Sequence, residues 1–437
     1  MDIATQTREK GIVGAGGAGF PTHIKMARPA EIVLVNAAEC EPLLHKDKEI
    51  LAKKTDLFLA GLSELMTSVE ATKGIIGIKE KHHALIDHLK ATVGPEVEVI
   101  PVRDFYPAGD EITLIYETTG RVVKAGELPL TEGVVVSNVE TIYNIGKPGP
   151  VITKFLNITG DVAHRQTLEV PLGISFRELL AFAEPTIDNY AVLVGGPMMG
   201  VLATDLDEVV TKTTAALIVL PEDHLLIQRY RVMGSEKQVN KIGKSACDQC
   251  TFCTELCPRF LLGHPIQPHM AMRSLVFMDE TGTNVAPEAH ALYCCECNLC
   301  SFVSCPEGLY PGTVCVQNKR AAAAQKIAYT GPVSNQAHPL AEYRRTPSKR
   351  LKNMLDLAGY PDEGPLTDAT FNPSTLKLML KQHIGATASP LMSPGDKVTR
   401  GQKIATVGDA LGCDIHAPED GTVKTVTDAF IEISVDR

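Results

Sequence analysis

The sequence predicts a multidomain α/β protein with a helical, cysteine-rich domain in its second half, and three observations carry that expectation. The chain has 437 residues, 44% of them hydrophobic and 22% charged, enough for three or four domains that each bury a core. Its first 150 residues alternate apolar strand-like runs with helically spaced ones, the βαβ rhythm of an open α/β sheet. Nine of its twelve cysteines lie between Cys247 and Cys305.

Near the N-terminus, Gly14, Gly16, Gly17 and Gly19 precede Lys25 in a stretch that contains G-x-G-x-x-G. A standard dinucleotide crossover does not fit, because no strand precedes the glycines. Only nine residues, Pro29 among them, separate Pro21 from the strand that starts at Glu31. The loop is either a structural turn or a place where bare backbone N–H groups approach a phosphate or a flat ring, with Lys25 supplying charge. The strand ends in Asn36-Ala-Ala-Glu39-Cys-Glu41-Pro42, two carboxylates where open α/β sheets bind ligands. One long or two short helices are expected over 46–69, strands over 74–78 and 97–102, and a helix over 82–89 with His82 and His83 on its exposed face. Tyr106-Pro-Ala-Gly109-Asp110-Glu111 and Asn138-Val-Glu140-Thr141 then follow apolar runs, the position from which side chains reach a cofactor.

From Val151 to about Leu220 the pattern changes to short strands and turns, with Met198 and Met199 read as packing. The first cysteine run is Cys247-x2-Cys250-x2-Cys253-x3-Cys257-Pro, the spacing of two-cluster ferredoxins, in which three thiolates hold one [4Fe–4S] cube and the fourth reaches the other. The second run, Cys294, Cys297, Cys300 and Cys305-Pro, has one extra residue before its last cysteine, which a local bulge would absorb. Zinc, the alternative, uses paired C-x2-C ligands on one tetrahedron and fits this spacing poorly. His264 and His269 are not needed as ligands, and Cys295, Cys315, Cys40 and Cys413 are read as buried thiols. Residues 330–366 read as a wrapping linker with a helix over 349–357. The basic stretch 343–350 reads as a solvated face or docking patch, and the last segment as short strands joined by Gly-Asp and Asp-Gly turns. A net charge of −10 argues against a nucleic-acid partner. The start lacks a signal-peptide core and no run is long enough to span a membrane, so a cytoplasmic protein is expected, with thiols kept reduced for metal.

The glycine loop, the Asn36–Pro42 segment and Asn138-Val-Glu140-Thr141 together resemble the flavin- and NADH-binding subunit of respiratory complex I. With the paired cysteine runs, nearly the whole chain resembles the RnfC-like family, which includes proteins of the Rnf complex, cobalamin reductases of propanediol-utilisation compartments and a proline-reductase-associated carrier. The resemblance implies a complex-I-type flavin/NADH α/β domain (1–150), a β-grasp module (151–225), a helical ferredoxin-like domain with two [4Fe–4S] clusters (226–330), a linker (331–380) and a C-terminal barrel-sandwich hybrid (381–437). It implies FMN held by Gly14, Gly16, Gly17, Gly19, Lys25, Asn36, Tyr106, Gly109, Asn138 and Thr141, with Glu39, Glu41 and Glu111 near the isoalloxazine or the nicotinamide. Ala38 stands where the complex-I protein usually has an acid, so contacts there differ. The barrel has no lysine over 408–414, so a swinging arm is not expected, and its place at the C-terminus matches the soluble, compartment-associated subgroup. Since nicotinamides give hydride and clusters take single electrons, a carrier with a stable one-electron state is needed between them, and flavin is the common one. The expected function is NADH oxidation through FMN and two clusters to a partner oxidoreductase subunit or a corrinoid protein, within a hetero-complex or oligomer. The alternative is a non-enzymatic carrier or scaffold without its own nicotinamide site.

Overall fold

A computed structural model describes residues 2–278 and 286–436. Helix α1 (Ile3–Glu9) starts at Asp2, whose carboxylate accepts the Thr5 N–H, and a bridge between Val13 and Pro21 closes the glycine loop ahead of the single turn α2 (Thr22–Lys25). Then follow β1 (Ile32–Ala37), α3 (Lys46–Lys53), α4 (Thr55–Ser68), β2 (Lys73–Lys79), α5 (His83–Thr92), β3 (Val97–Val102), the short β4 (Phe105–Tyr106), α6 (Glu111–Thr119), β5 (Val134–Asn138) and α7 (Val139–Gly146). The parallel sheet has the order β3-β2-β1-β5, and β1, β2 and β5 are buried on both faces because helices cover both. Helices α4 and α7 touch backbone to backbone at Gly61, where a Cβ would lie 1.9 Å from the Ile142 carbonyl oxygen. The strand order turns between β1 and β5, so the ligand crevice of an open sheet falls there.

The next sheet is built from β6 (Thr153–Gly160), β7 (Gln166–Pro171), β8 (Tyr190–Val194), β9 (Val201–Leu202) and β10 (Ala216–Pro221), with α8 (Phe176–Ala183) packed on it. Its order is β7-β6-β10-β8-β9 with β10 parallel to β6, the β-grasp arrangement. A reciprocal Ser175–Glu178 cap starts α8. The cluster domain is helical: α9 (Leu225–Met233), α10 (Glu236–Ala246), α11 (Phe252–Glu255), α12 (Pro258–Leu261), α13 (Pro268–Ser274) and α14 (Pro311–Ala324). Three of these begin at proline, whose missing N–H costs nothing at a helix start.

The following segment wraps back onto the first domain, where β11 (Thr346–Pro347) pairs with β4 and leads into α15 (Ser348–Met354). The basic stretch there is in part structural rather than a free patch. Arg345 is buried against Glu117 and lies over the Phe105 ring, because a buried arginine needs both a charge and a flat apolar partner. The C-terminal module is a sandwich of β12 (Thr375–Met379), β18 (Phe430–Val435), β17 (Gly421–Val426) and β14 (Lys397–Val398) against β13 (Ser389–Pro390), β15 (Lys403–Thr406) and β16 (Ile415–His416). Strand β12 pairs with β18 along its full length, so the module takes a strand from the stretch read as linker. His82 departs from expectation as well: it is half-buried and lines a cleft with Lys48, Lys79 and Lys81.

Candidate functional site

At the crevice, Asn36 at the end of β1 and Asn138 at the end of β5 are register partners. The Asn36 side-chain amide donates to the Gly109 carbonyl at 2.8 Å and holds the Tyr106–Glu111 segment over the sheet edge. From the other side, the Ala15 N–H donates to Thr141 Oγ1 at 2.9 Å, and a Cβ on Gly16 would lie 3.4 Å from Asn138. Gly17, at φ +109°, has a backbone conformation that suits glycine, and the space beside it is open. Lys25 Nζ donates to the Val136 carbonyl at 2.9 Å and pairs with Glu111 at 3.3 Å. The glycine loop is closed by Gly14 N–H to Phe20 and Gly19 N–H to Gly14, and Gly19 in turn accepts the Ile384 N–H from the barrel module. Bare backbone, an uncovered face at Gly17 and the Lys25 ammonium make this crevice fit a flat ring with a phosphate tail.

Two residues expected here point elsewhere. Glu41 aims at the β-grasp module, where its carboxylate accepts the Met198 N–H at 2.8 Å and fills the space that Gly196 leaves. Burial raises its pKa to about 7, against the pull of the Met198 and Met199 N–H groups. Tyr106 is buried, and its hydroxyl donates to the Cys297 carbonyl at 2.8 Å. Glu39 lines the cleft that also holds His82, Lys48 and Lys79, and burial raises its pKa to about 8 with help from the Asp47 charge and against Lys46.

Behind the crevice lies a buried charge network that the sequence reading missed. Glu140 is 1% exposed; it accepts hydrogen bonds from Lys154 Nζ and, at 3.0 Å, the Phe155 N–H, and pairs with Lys46 at 3.2 Å. Asp47 pairs with Lys46 and accepts the Asn138 amide at 2.7 Å, while Lys154 also reaches the Ala15 carbonyl at 3.3 Å. Burial lowers Lys154 to about 8 despite Glu140. At Lys46 the charges of Asp47, Glu140 and Glu39 outweigh burial and hold it above its usual range. The network's one trace in the sequence is Glu140 within Asn138-Val-Glu140-Thr141.

In the cluster domain, Cys247, Cys250 and Cys253 line one small cavity together with Cys305 from the second run. Cys257 packs instead among the second-run thiols, facing Cys295 and Cys294. The two runs share a backbone pattern. Gln249 and Thr251 flank Cys250 at φ 60° and 68°, and Glu296 and Asn298 flank Cys297 at 61° and 56°. Four non-glycine residues in the left-handed region are a costly repeat, and they wrap each run around a common centre. The extra residue of the second run is absorbed in a π-helical turn over Cys300–Ser304, and Arg229 satisfies its open carbonyls by donating to Ser301 at 2.6 Å and Phe302 at 3.3 Å. Cys295 turns toward Cys297 and the Arg259 guanidinium, and Arg259 pairs with Asp110 of the flavin segment at 2.7 Å. Cys294 turns toward Cys315, which lies buried on α14. Cys305 thus joins the first-run thiols and Cys257 those of the second run, an exchange of last cysteines that suits two cubes.

Residues 7–147 match the family described as Nuo51 FMN-binding domain, 246–310 the 4Fe-4S dicluster domain, and 363–434 the RnfC barrel sandwich hybrid domain. Fold and site together define a flavin and iron–sulfur oxidoreductase that transfers electrons; FMN supplies a centre that exchanges either one or two of them. The cobalamin reductase PduS of Salmonella typhimurium is 42% identical over 99% of this chain and 96% of its own length, and that of Citrobacter freundii 41% identical over the same shares. A component of the Na(+)-translocating ferredoxin:NAD(+) oxidoreductase complex of Acetobacterium woodii is 34% identical over 57% of this chain and 56% of its own. The chain belongs to the family of the cobalamin reductase PduS. Among the described residues no helix is long and apolar enough to cross a membrane.

Proposed function

We propose that this chain oxidises NADH at the FMN crevice and passes electrons singly through its clusters to a partner oxidoreductase subunit or a corrinoid protein, in the cytoplasm and within a hetero-complex. The observation that carries this reading is the Tyr106 hydroxyl on the Cys297 carbonyl, which ties the flavin segment to the second cysteine run. The cluster held by Cys294, Cys297, Cys300 and Cys257 is then nearest the flavin, and the one held by Cys247, Cys250, Cys253 and Cys305 is the exit. Gly14, Gly16, Gly17, Gly19, Lys25, Asn36, Gly109, Asn138 and Thr141 hold the flavin. Glu39 and Glu111 flank the reacting edge, and Glu39, raised toward neutrality, holds a proton there. Glu41 and Tyr106 act as positioning residues between the two domains.

The test is anaerobic. Flavin-replete protein bleaches when NADH is added, and Glu39→Gln slows bleaching on the order of 100-fold while iron content stays the same. Flavin-replete protein that does not bleach would instead be a carrier fed by another flavoprotein. The shared left-handed pattern aligns Cys294 with Cys247, which supports Cys294 as the ligand in preference to its neighbour. Cys295→Ser is accordingly expected to keep about eight irons per chain and both cluster signals in electron paramagnetic resonance. Loss of one signal would show that Cys295 is the ligand.

A further inference from the structure

A hollow of about 240 Å³ lies on the surface beside the first cysteine run, away from the flavin crevice. Met272 and Val276 give it an apolar floor, Lys244 and Arg273 stand at its edge, and Cys247 closes one end. The floor exists because α10 sits down on α13 at Gly243, where a Cβ would lie 3.0 Å from Met272. Large apolar side chains around it stand in water: Ile242 is 38% exposed, Val276 51% and Phe277 50%. Lys237 and Lys241 lie on the exposed side of α10, and among the described residues neither they nor Lys244 or Arg273 have an ion-pair partner. Asp248, next to Cys247, uses its carboxylate to accept the Cys250 N–H. In a chain of net charge −10, unpaired cations around an exposed apolar hollow need a cause.

We propose that this hollow docks an acidic one-electron carrier protein, and that electrons leave the chain past Cys247. The inference rests on the first cluster being the exit. An apolar centre with a cationic rim is complementary to a partner whose redox centre sits within a carboxylate ring, and attraction of this kind acts on encounter rate and orientation. In the transfer one electron passes from the reduced cluster, which is oxidised, to the carrier's own centre, which is reduced; no bond forms or breaks. An anionic membrane would also attract cations, but a concave hollow ending at a cluster cysteine favours a protein.

The test uses holoprotein whose clusters have been reduced with dithionite, so that a chain unable to oxidise NADH still gives an answer. Flavodoxin serves as the acidic probe, cytochrome c as a basic one, benzoquinone as a small neutral oxidant and phosphatidylglycerol vesicles as a membrane. Flavodoxin is expected to bind, with affinity falling as salt rises. The triple variant Lys241→Glu, Lys244→Glu, Arg273→Glu is expected to bind it at least about tenfold more weakly and be reoxidised by it correspondingly more slowly. Iron content and the rate with benzoquinone stay the same. The proposal is overturned if the unaltered protein does not bind flavodoxin, if the variant binds it equally well, if cytochrome c loses affinity to the same extent, or if the variant loses only vesicle binding.

Discussion

Glu140→Gln is expected to destabilise the protein by about 3–5 kcal/mol and to release its flavin, although Glu140 lies in none of the positions expected to touch the cofactor. The substitution keeps shape and removes one negative charge from a site that is 1% exposed. Lys46 retains Asp47, but Lys154 loses the carboxylate it pairs with among the described residues, and its buried amine, already lowered to about 8, must either keep its charge unpaired or give up its proton. An unpaired buried charge costs far more than the pair contributes, so the partner left behind sets the size of the effect. Because Lys154 also donates to Ala15 in the glycine loop and Asn138 donates to Asp47, the disturbance reaches the crevice directly. Chemical denaturation of the holoprotein and of protein stripped of flavin measures both parts. The double variant Glu140→Leu, Lys154→Met removes both charges and is expected to recover much of the stability lost in the single variant. If Glu140→Gln unfolds within about 1 kcal/mol of the unaltered protein, the network is not what holds the crevice.

The contrast between this network and the cysteine runs shows what a sequence can reveal. Ligand spacing in the runs is local, because cube geometry demands two x2 gaps, and proline after the last cysteine is a local helix start. The glycine loop is also local, since its backbone constraint belongs to successive residues. Lys154, by contrast, sits on β6 of a different module, and only the docking of two sheets brings it to Glu140. Glu41 was legible as a strand-end carboxylate but not as the side chain that fills Gly196, for the same reason. Strand β12 reads as linker because Thr375–Met379 alternates buried and half-buried residues over only five positions. Its partner β18 lies at the far end of the module. The extra residue before Cys305 was visible, and the expected bulge is a π-helical turn because Arg229, from α9, is placed to satisfy its carbonyls.

That turn leads to the second large effect. Cys305→Ala is expected to abolish the cluster of the first run, not of the run in which Cys305 lies, and to halve the iron from about eight to about four per chain. The reason is geometric: Cys305 shares a cavity with Cys247, Cys250 and Cys253, while the π-helical turn carries it past its own run. The proposed relay then predicts a separation of functions. NADH bleaching of the flavin and reduction of the remaining cluster should persist in Cys305→Ala, while transfer to an external protein acceptor fails because the exit has gone. Cys257→Ala should produce the reverse: the flavin still bleaches, but the first cluster, now isolated from it, is reduced by dithionite and not by NADH. Electron paramagnetic resonance of the two variants after each reductant distinguishes these cases. If Cys305→Ala leaves the first-run signal and removes the other, the exchange of ligands between runs is wrong. If both variants lose both clusters, the two cubes form one cooperative folding unit and their order in the relay must be read by another route.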